Sequence, residues 1–114
     1  MPDRKPGSIA PATALRLADL VTYAEGSVVS RAIVQEKGAT LTLFAFDIGQ
    51  ALSEHATPFD AYVEILDGEG ELVIGGTLVA ARAGDVVLMP ANVPHAVNAR
   101  QRFKMLLTMV RPVA

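Results

Sequence analysis

The sequence predicts an all-β fold, a single antiparallel sandwich or barrel. From Val28 onward the chain consists of short runs rich in Val, Ile, Leu and Phe, and glycine or proline closes each run, which is typical of consecutive strands. No long helical period interrupts these runs. A chain of 114 residues with 51% hydrophobic residues is long enough to bury one core and too short for a second domain.

The N-terminal segment is expected to differ from the rest of the chain. Residues 1–12 contain three prolines and few apolar side chains, so we expect a flexible tail there, either mobile or loosely docked, and a single barrel domain over residues 13–114. Thr13 is placed to cap a short helical turn. The apolar contacts of such a turn would come from Leu15, Leu17, Leu20 and Val21. The same segment could instead pack as an irregular arm.

Two hairpins are predicted in the strand region. The first has its turn at residues 36–38, and the second has its turn at residues 67–70, where the sequence reads Asp-Gly-Glu-Gly. The predicted strands are residues 28–35, 40–46, 61–66, 71–74, 77–81, 84–89 and 102–110.

Composition excludes several classes of function. The net charge is -2 and the charges of both signs are spread along the chain, so no basic stripe is present and nucleic acid is not an expected partner. The chain has no cysteine, so a metal site would use nitrogen and oxygen ligands, and a reducing cytoplasm is the expected location. No long apolar run follows the N-terminus, so neither a signal peptide nor a membrane span is expected.

Two segments, residues 49–68 and 84–98, each hold one histidine between regularly spaced glycine and proline residues. The fixed positions are Gly49, His55 and Gly68 in the first segment and Gly84, Pro90 and His95 in the second. This pattern resembles the paired motifs of the cupin superfamily, and the resemblance covers about residues 28 to 110. It implies a jelly-roll β-barrel whose lumen holds the functional site. Asn92 replaces a motif glycine, which the turn before His95 tolerates because asparagine adopts left-handed backbone angles more readily than most residues.

The resemblance also implies a metal site, which this chain keeps only in part. Cupins commonly bind a divalent transition metal through three histidines and one glutamate. Here Thr57 stands at the second histidine position and Ala61 at the glutamate position, so His55 and His95 remain. Two imidazoles alone make a weak site for Fe, Mn, Ni or Zn, because tight sites hold three or four protein ligands.

Asp60 is the nearest carboxylate and the candidate third ligand. With the two histidines it would complete a set that suits non-haem iron. However, side chains alternate along a strand, which places Asp60 on the face opposite Ala61. Asp60 would reach the lumen only across a bulge, and Pro58 makes a local irregularity there plausible.

A ligand pocket is predicted beside the histidines. Its wall would be formed by Thr57, Ala61, Met89 and Met105. The alternative is that the apolar members are ordinary core residues and that Thr57 is simply a good strand residue.

Three functions remain open from the sequence. The first is a metal-dependent oxygenase or isomerase that acts on a small organic molecule through a metal held by His55 and His95. The second is a metal-free module that binds or senses a small molecule, with the histidines as polar contacts. The third is a metal-free epimerase with a histidine as general base, for which no acid partner is evident. A twofold homodimer is expected through residues 28–34 or 104–110.

Overall fold

The computed structural model describes residues 5–111 and confirms an all-β fold, a curled antiparallel sheet consistent with a jelly-roll barrel. The strands are β1 (Val28–Gln35), β2 (Ala39–Phe46), β3 (Ala51–His55), β4 (Asp60–Ile74), β5 (Thr77–Arg82), β6 (Val86–Met89), β7 (His95–Asn98) and β8 (Phe103–Val110). The one helical element in this part of the chain is the 3₁₀ turn Leu17–Leu20. No described helix is long and apolar enough to cross a membrane.

Strand β4 is the centre of the sheet. The strands follow the order β1-β2-β8-β4-β7-β3, and β5 and β6 also pair with β4. The first half of β4 pairs with β6 and β8, whereas its second half pairs with β5 and β7. The register with β8 shifts between Ile65 and Asp67, so β4 bends there and passes from one half of the barrel to the other. One continuous strand therefore joins the two walls of the lumen.

The predicted second hairpin is wrong. Residues 67–70 lie within the 15-residue strand β4, and the chain reverses only at Gly75 and Gly76, between β4 and β5. The first hairpin, between β1 and β2, is confirmed, and β1 has the predicted bounds. The short strands β3 and β7 were not among the predicted ones, since neither forms a long apolar run.

The glycines at residues 68 and 70 serve close packing. Gly68 has φ +71°, and a Cβ there would lie 2.2 Å from the carbonyl oxygen of Arg102. A Cβ on Gly70 would lie 2.7 Å from the ring of Phe103. Glycine is therefore required because the start of β8 approaches the backbone of β4 at the bend.

The core has two parts, one on each face of the β1–β2–β8–β4 sheet. The lumen cluster fills the space between the two walls and comprises Phe46, Ala61, Val63, Ile65, Leu72, Ala81, Met89, Val97, Ala99, Phe103 and Met105. The arm cluster lies on the outer face, where the N-terminal segment, residues 5–27, packs against the sheet, and its buried members are Val21, Ile33, Leu43, Ala45 and Leu106. The N-terminal segment thus covers part of the sheet that would otherwise be exposed.

The N-terminal segment is fastened by hydrogen bonds to the strands. The guanidinium of Arg31 in β1 donates to the carbonyl oxygens of Gly7 at 2.9 Å, Ser8 at 3.3 Å and Leu20 at 3.2 Å. The described part of the predicted tail therefore lies against β1, while residues 1–4 lie outside the described residues.

The predicted helical turn is present, but its cap is not Thr13. The 3₁₀ turn begins after Arg16, which makes no side-chain cap hydrogen bond. The hydroxyl of Thr13 donates instead to the carbonyl oxygen of Pro11 at 3.0 Å. The capping prediction is wrong because the turn begins further along the chain, so it lies out of reach of Thr13.

Candidate functional site

The two histidines of the chain meet at one end of the β3–β7 strand pair. His55 is the last residue of β3 and His95 is the first of β7, and the two are directly opposite in the antiparallel register. Their ring centroids are 4.5 Å apart and the ring planes meet at 69°. Two residues separated by 40 positions in the sequence therefore form one imidazole pair.

Backbone carbonyl groups fix the orientation of both rings. Nδ1 of His55 lies 3.0 Å from the carbonyl oxygen of Ser53, and Nδ1 of His95 lies 3.2 Å from that of Val93. A carbonyl oxygen only accepts hydrogen bonds, so Nδ1 carries the proton in each neutral ring. The lone pair is then on Nε2 of both histidines, which is the arrangement found in histidines that ligate metals.

The two histidines differ in their surroundings. His95 is buried, with 5% of its surface exposed, whereas His55 is exposed. Burial is the main cause that lowers the pKa of His95, the positive charge of a protonated His55 lowers it further, and the bond to Val93 acts in the opposite direction. The buried ring is therefore kept in the neutral form that can accept a hydrogen bond or donate a lone pair to a metal.

The turn before His95 is tied to the loop after His55. The N–H of Asn92 donates to the carbonyl oxygen of Thr57 at 2.7 Å, and Asn92 has φ +65°, the left-handed conformation that the sequence predicted it could adopt. This hydrogen bond holds the two segments that carry the imidazoles in contact.

The predicted pocket residues occupy two different environments. The hydroxyl of Thr57 donates to the carbonyl oxygen of Phe59 at 3.1 Å, so it stabilises its own loop. Ala61, Met89 and Met105 belong to the lumen cluster and are almost fully buried. Their apolar side chains line the interior of the barrel without contributing a polar group.

Asp60 does not join the histidines. Along β4 the residues alternate as predicted, with Ala61 buried and Asp60 and Tyr62 exposed on the outer face. Oδ1 of Asp60 accepts a hydrogen bond from the N–H of Ala91 at 2.9 Å. Within residues 5–111 no group of three or more His, Cys, Asp or Glu side chains is placed to hold a metal ion.

A four-ligand metal centre of the common cupin type therefore does not fit this lumen. Ala61 offers no donor at the glutamate position, and the oxygen of Thr57 is used within its loop. A two-nitrogen site does fit, because the neutral form of each ring carries its proton on Nδ1 and leaves Nε2 to a metal, and because the rings are adjacent. Such a site leaves most coordination positions of a metal to water or to a bound molecule.

A groove on the outer face, lined in part by the residues that follow His55, was not predicted from the sequence. Its volume is about 430 Å³, and it is lined by Pro58, Phe59, Asp60, Tyr62, Ala91, Val110 and Arg111. We refer to it as the outer groove. Its residues come from three separate segments, so no local pattern indicated it.

Comparison with known proteins places the chain in a family. The family model described as Cupin domain matches residues 42–110. No protein among the curated sequences matches the chain. A conserved protein of unknown function from Streptococcus pyogenes, SPY1581, has a structure similar to this one, with 35% identity, 98% of each chain covered and a TM-score of 0.90.

Two further solved structures are similar to the chain. A cupin superfamily protein from Desulfitobacterium hafniense is 28% identical, with 96% of this chain and 100% of that chain covered and a TM-score of 0.87. A cupin 2 conserved barrel domain protein from Leptotrichia buccalis is 39% identical, with 85% of this chain and 47% of that chain covered and a TM-score of 0.83. The two motifs, the curled antiparallel sheet and these matches lead to one conclusion: the chain belongs to the cupin family.

Proposed function

We propose that the protein binds one divalent transition-metal ion through Nε2 of His55 and His95 and that a small organic molecule occupies the remaining coordination positions. The observation that carries this proposal is the pair of Nδ1 hydrogen bonds to backbone carbonyl groups, which leaves two lone pairs on adjacent rings. Fe, Mn, Ni and Zn all accept imidazole nitrogen, so the geometry does not select among them.

A metal at this position would act as a Lewis acid on an oxygen atom of the bound molecule. Its two protein ligands are neutral, and both are oriented before binding. The lumen cluster is almost fully buried, so the organic part of a substrate would bind on the exposed side of His55 rather than between Met89 and Met105. Oxygenation or isomerisation of a small organic molecule is the reaction that we assign to such a site.

A metal-free binding module is the second candidate, and a specific observation favours it. The family positions occupied by Thr57 and Ala61 provide no third or fourth donor. In that case the unprotonated Nε2 atoms of the histidine pair would accept hydrogen bonds from hydroxyl or amine groups of the ligand.

Metal analysis distinguishes the two candidates. Purified tag-free protein is dialysed to equilibrium against Fe, Mn, Ni or Zn, and the metal bound above the level in the dialysis buffer is measured by plasma mass spectrometry, because a two-histidine site is too weak to survive desalting. We expect about one metal ion per chain for the native protein and none for His55→Ala or His95→Ala, because a single imidazole does not retain a metal. Glu54→Ala, an exposed change beside His55, is the matched control and should keep the metal.

Absence of metal from the reconstituted native protein would overturn the metal proposal and leave the binding module. Equal metal content in the native protein and in both histidine variants would show that the metal is bound elsewhere. Circular dichroism of each variant confirms that the barrel is still folded.

We also propose a cytoplasmic location and a twofold homodimer. The surfaces expected from the sequence are partly covered within the chain, since Ile33 of β1 and Leu106 of β8 belong to the arm cluster. Strand β6 offers a more exposed apolar surface: like β1 it pairs with a single strand among the described strands, and Val86 and Leu88 are exposed on it.

A further inference from the structure

The outer groove contains two opposite charges at neighbouring positions. Asp60 is the direct partner of Val110 in the β4–β8 register, and Arg111 is the next residue after Val110. Both Asp60 and Arg111 line the groove. No ion pair joins Arg111 to any carboxylate among residues 5–111. The groove therefore has a cationic side chain and an anionic side chain that are close but do not neutralise each other directly.

Arg111 is held in a defined position. Its guanidinium carbon lies 5.1 Å from the centroid of the Phe59 ring, and its backbone N–H donates to the carbonyl oxygen of Gly38 at 2.8 Å. Its Nε is buried and has no hydrogen-bond partner within the described part of the chain. A half-buried guanidinium without a carboxylate partner is a favourable site for an anion, because charge-assisted hydrogen bonds replace the hydration that burial has removed.

Asp60 is held in a similar way. Its Oδ1 accepts the N–H of Ala91, which fixes the carboxylate and leaves Oδ2 available for a second donor. Between the charges the groove is apolar and aromatic, with Tyr62 and Val110 exposed by 41% and 52%. The volume of about 430 Å³ lies in the range of small-molecule sites.

We propose that the outer groove binds a small zwitterion with an apolar body, of the class of an aromatic or branched α-amino acid. The carboxylate of the ligand pairs with Arg111 and its ammonium group pairs with Asp60. Its side chain packs against Tyr62, Val110 and Phe59. This site is separate from the histidine pair and does not depend on a metal.

The groove also shares its walls with the loops that carry the histidines. Pro58, Phe59 and Asp60 follow His55, and Ala91 precedes His95, with the N–H of Ala91 bonded to Asp60. An occupant would therefore contact both loops. This placement gives the groove a structural connection to the lumen site without requiring that its ligand enter the lumen.

Nuclear magnetic resonance titration with three probes tests the proposal. The full chain, labelled with ¹⁵N, is titrated with L-phenylalanine, with 3-phenylpropionate, which lacks the ammonium group, and with phenethylamine, which lacks the carboxylate. We expect L-phenylalanine to cause saturable shifts in the amide signals of residues 59–62, 91 and 110. We expect each analogue to bind about tenfold or more weakly, the effect of losing one hydrogen bond to a charged group.

Two variants assign the charges. Arg111→Gln should weaken the binding of L-phenylalanine by about tenfold or more and leave the affinity for phenethylamine unchanged. Asp60→Asn should weaken the binding of L-phenylalanine and should not weaken the binding of 3-phenylpropionate. Arg82→Gln, an exposed change outside the groove, is the matched control and should not alter any affinity.

Several results would overturn the proposal. These are the absence of saturable shifts, shifts centred outside the groove, and equal binding of all three probes. A response of the same amides to protein concentration alone would show instead that the groove is an interface between copies of the chain. We expect His55→Ala and His95→Ala to bind L-phenylalanine as the native protein does. The metal proposal and the groove proposal can therefore fail or succeed separately.

Discussion

At the scale of single residues, the lumen differs from the common cupin metal site in the ligands that it lacks. Alanine at position 61 removes a carboxylate, whereas the two remaining histidines keep their orienting hydrogen bonds to Ser53 and Val93. The consequence is an oriented imidazole pair with few neighbouring donors. A metal ion held by such a pair would take its other ligands from water or from a bound molecule.

Gly70 provides a residue-scale prediction about stability. It does not have a left-handed φ, so Gly70→Ala adds no backbone strain, but the new Cβ would lie 2.7 Å from the Phe103 ring. That ring stacks on Phe46 with centroids 4.6 Å apart and cannot move without disturbing the core. We expect Gly70→Ala to lower the free energy of unfolding by about 1–3 kcal/mol, as overpacking commonly does.

Urea unfolding monitored by circular dichroism measures this change. Glu69→Ala, an exposed neighbour on the same strand, serves as the control and should stay within about 0.5 kcal/mol of the native protein. Equal stability of Gly70→Ala and the native protein would mean that the start of β8 moves freely away from β4.

At the scale of elements, polar side chains fasten the ends of strands that are distant in sequence. Asp47, just after β2, accepts from the Arg102 Nε at 2.7 Å and from the N–H of Gly26 at 2.7 Å. The N-terminal segment is fastened nearby, where the hydroxyl of Tyr23 donates to Asp67 at 2.5 Å. These bonds hold the loop before β1 and the loops flanking β2 and β8 in one arrangement.

Asp47 makes the stability of this junction depend on pH. The hydrogen bond from Arg102, followed by that from the N–H of Gly26, holds the pKa of Asp47 at about 2. Because an unfolded aspartate has a pKa of about 3.9, the stabilisation is complete above that value and is lost as the pH falls toward the folded value. We expect Asp47→Asn to destabilise the protein at pH 7 and to have progressively less effect below pH 4.

Urea midpoints at pH 7, 4, 3 and 2 for both proteins check this expectation. Asp19→Asn, at an exposed aspartate in the 3₁₀ turn, is the control and should show no such convergence. A constant difference between Asp47→Asn and the native protein over the whole pH range would show that the ionised carboxylate does not provide the stabilisation.

At the scale of the whole molecule, the N-terminal segment and the sheet divide the outer face between them. The segment covers the β1–β2–β8 side through the arm cluster, whereas β6 remains open and exposes Val86 and Leu88. An open apolar sheet face beside an edge strand is a common place for a second subunit.

The proposed homodimer is tested by sedimentation velocity at micromolar concentration. We expect the native chain to sediment as a dimer and Leu88→Glu to sediment as a monomer, because a charge on the exposed face of β6 would be buried without a partner. Ile48→Glu, at an exposed apolar residue outside β6, is the control and should remain dimeric. A native monomer would refute the dimer.

The sequence by itself determined the strand-rich fold, the exact bounds of β1 and the position of both histidines in the motifs, because alternation and glycine spacing are local properties of the chain. Only the tertiary structure decided that residues 67–70 continue β4. A glycine with positive φ, such as Gly68, occurs both in turns and at bends, and here its close contact with Phe103 shows that it lies at a bend. The partners of Asp60 and of the two Nδ1 atoms, and the outer groove with Arg111, likewise depend on segments brought together from distant parts of the chain. Contacts of that kind leave no pattern within a single segment, so the surroundings of the histidine pair and of the outer groove are determined only by how the strands pair.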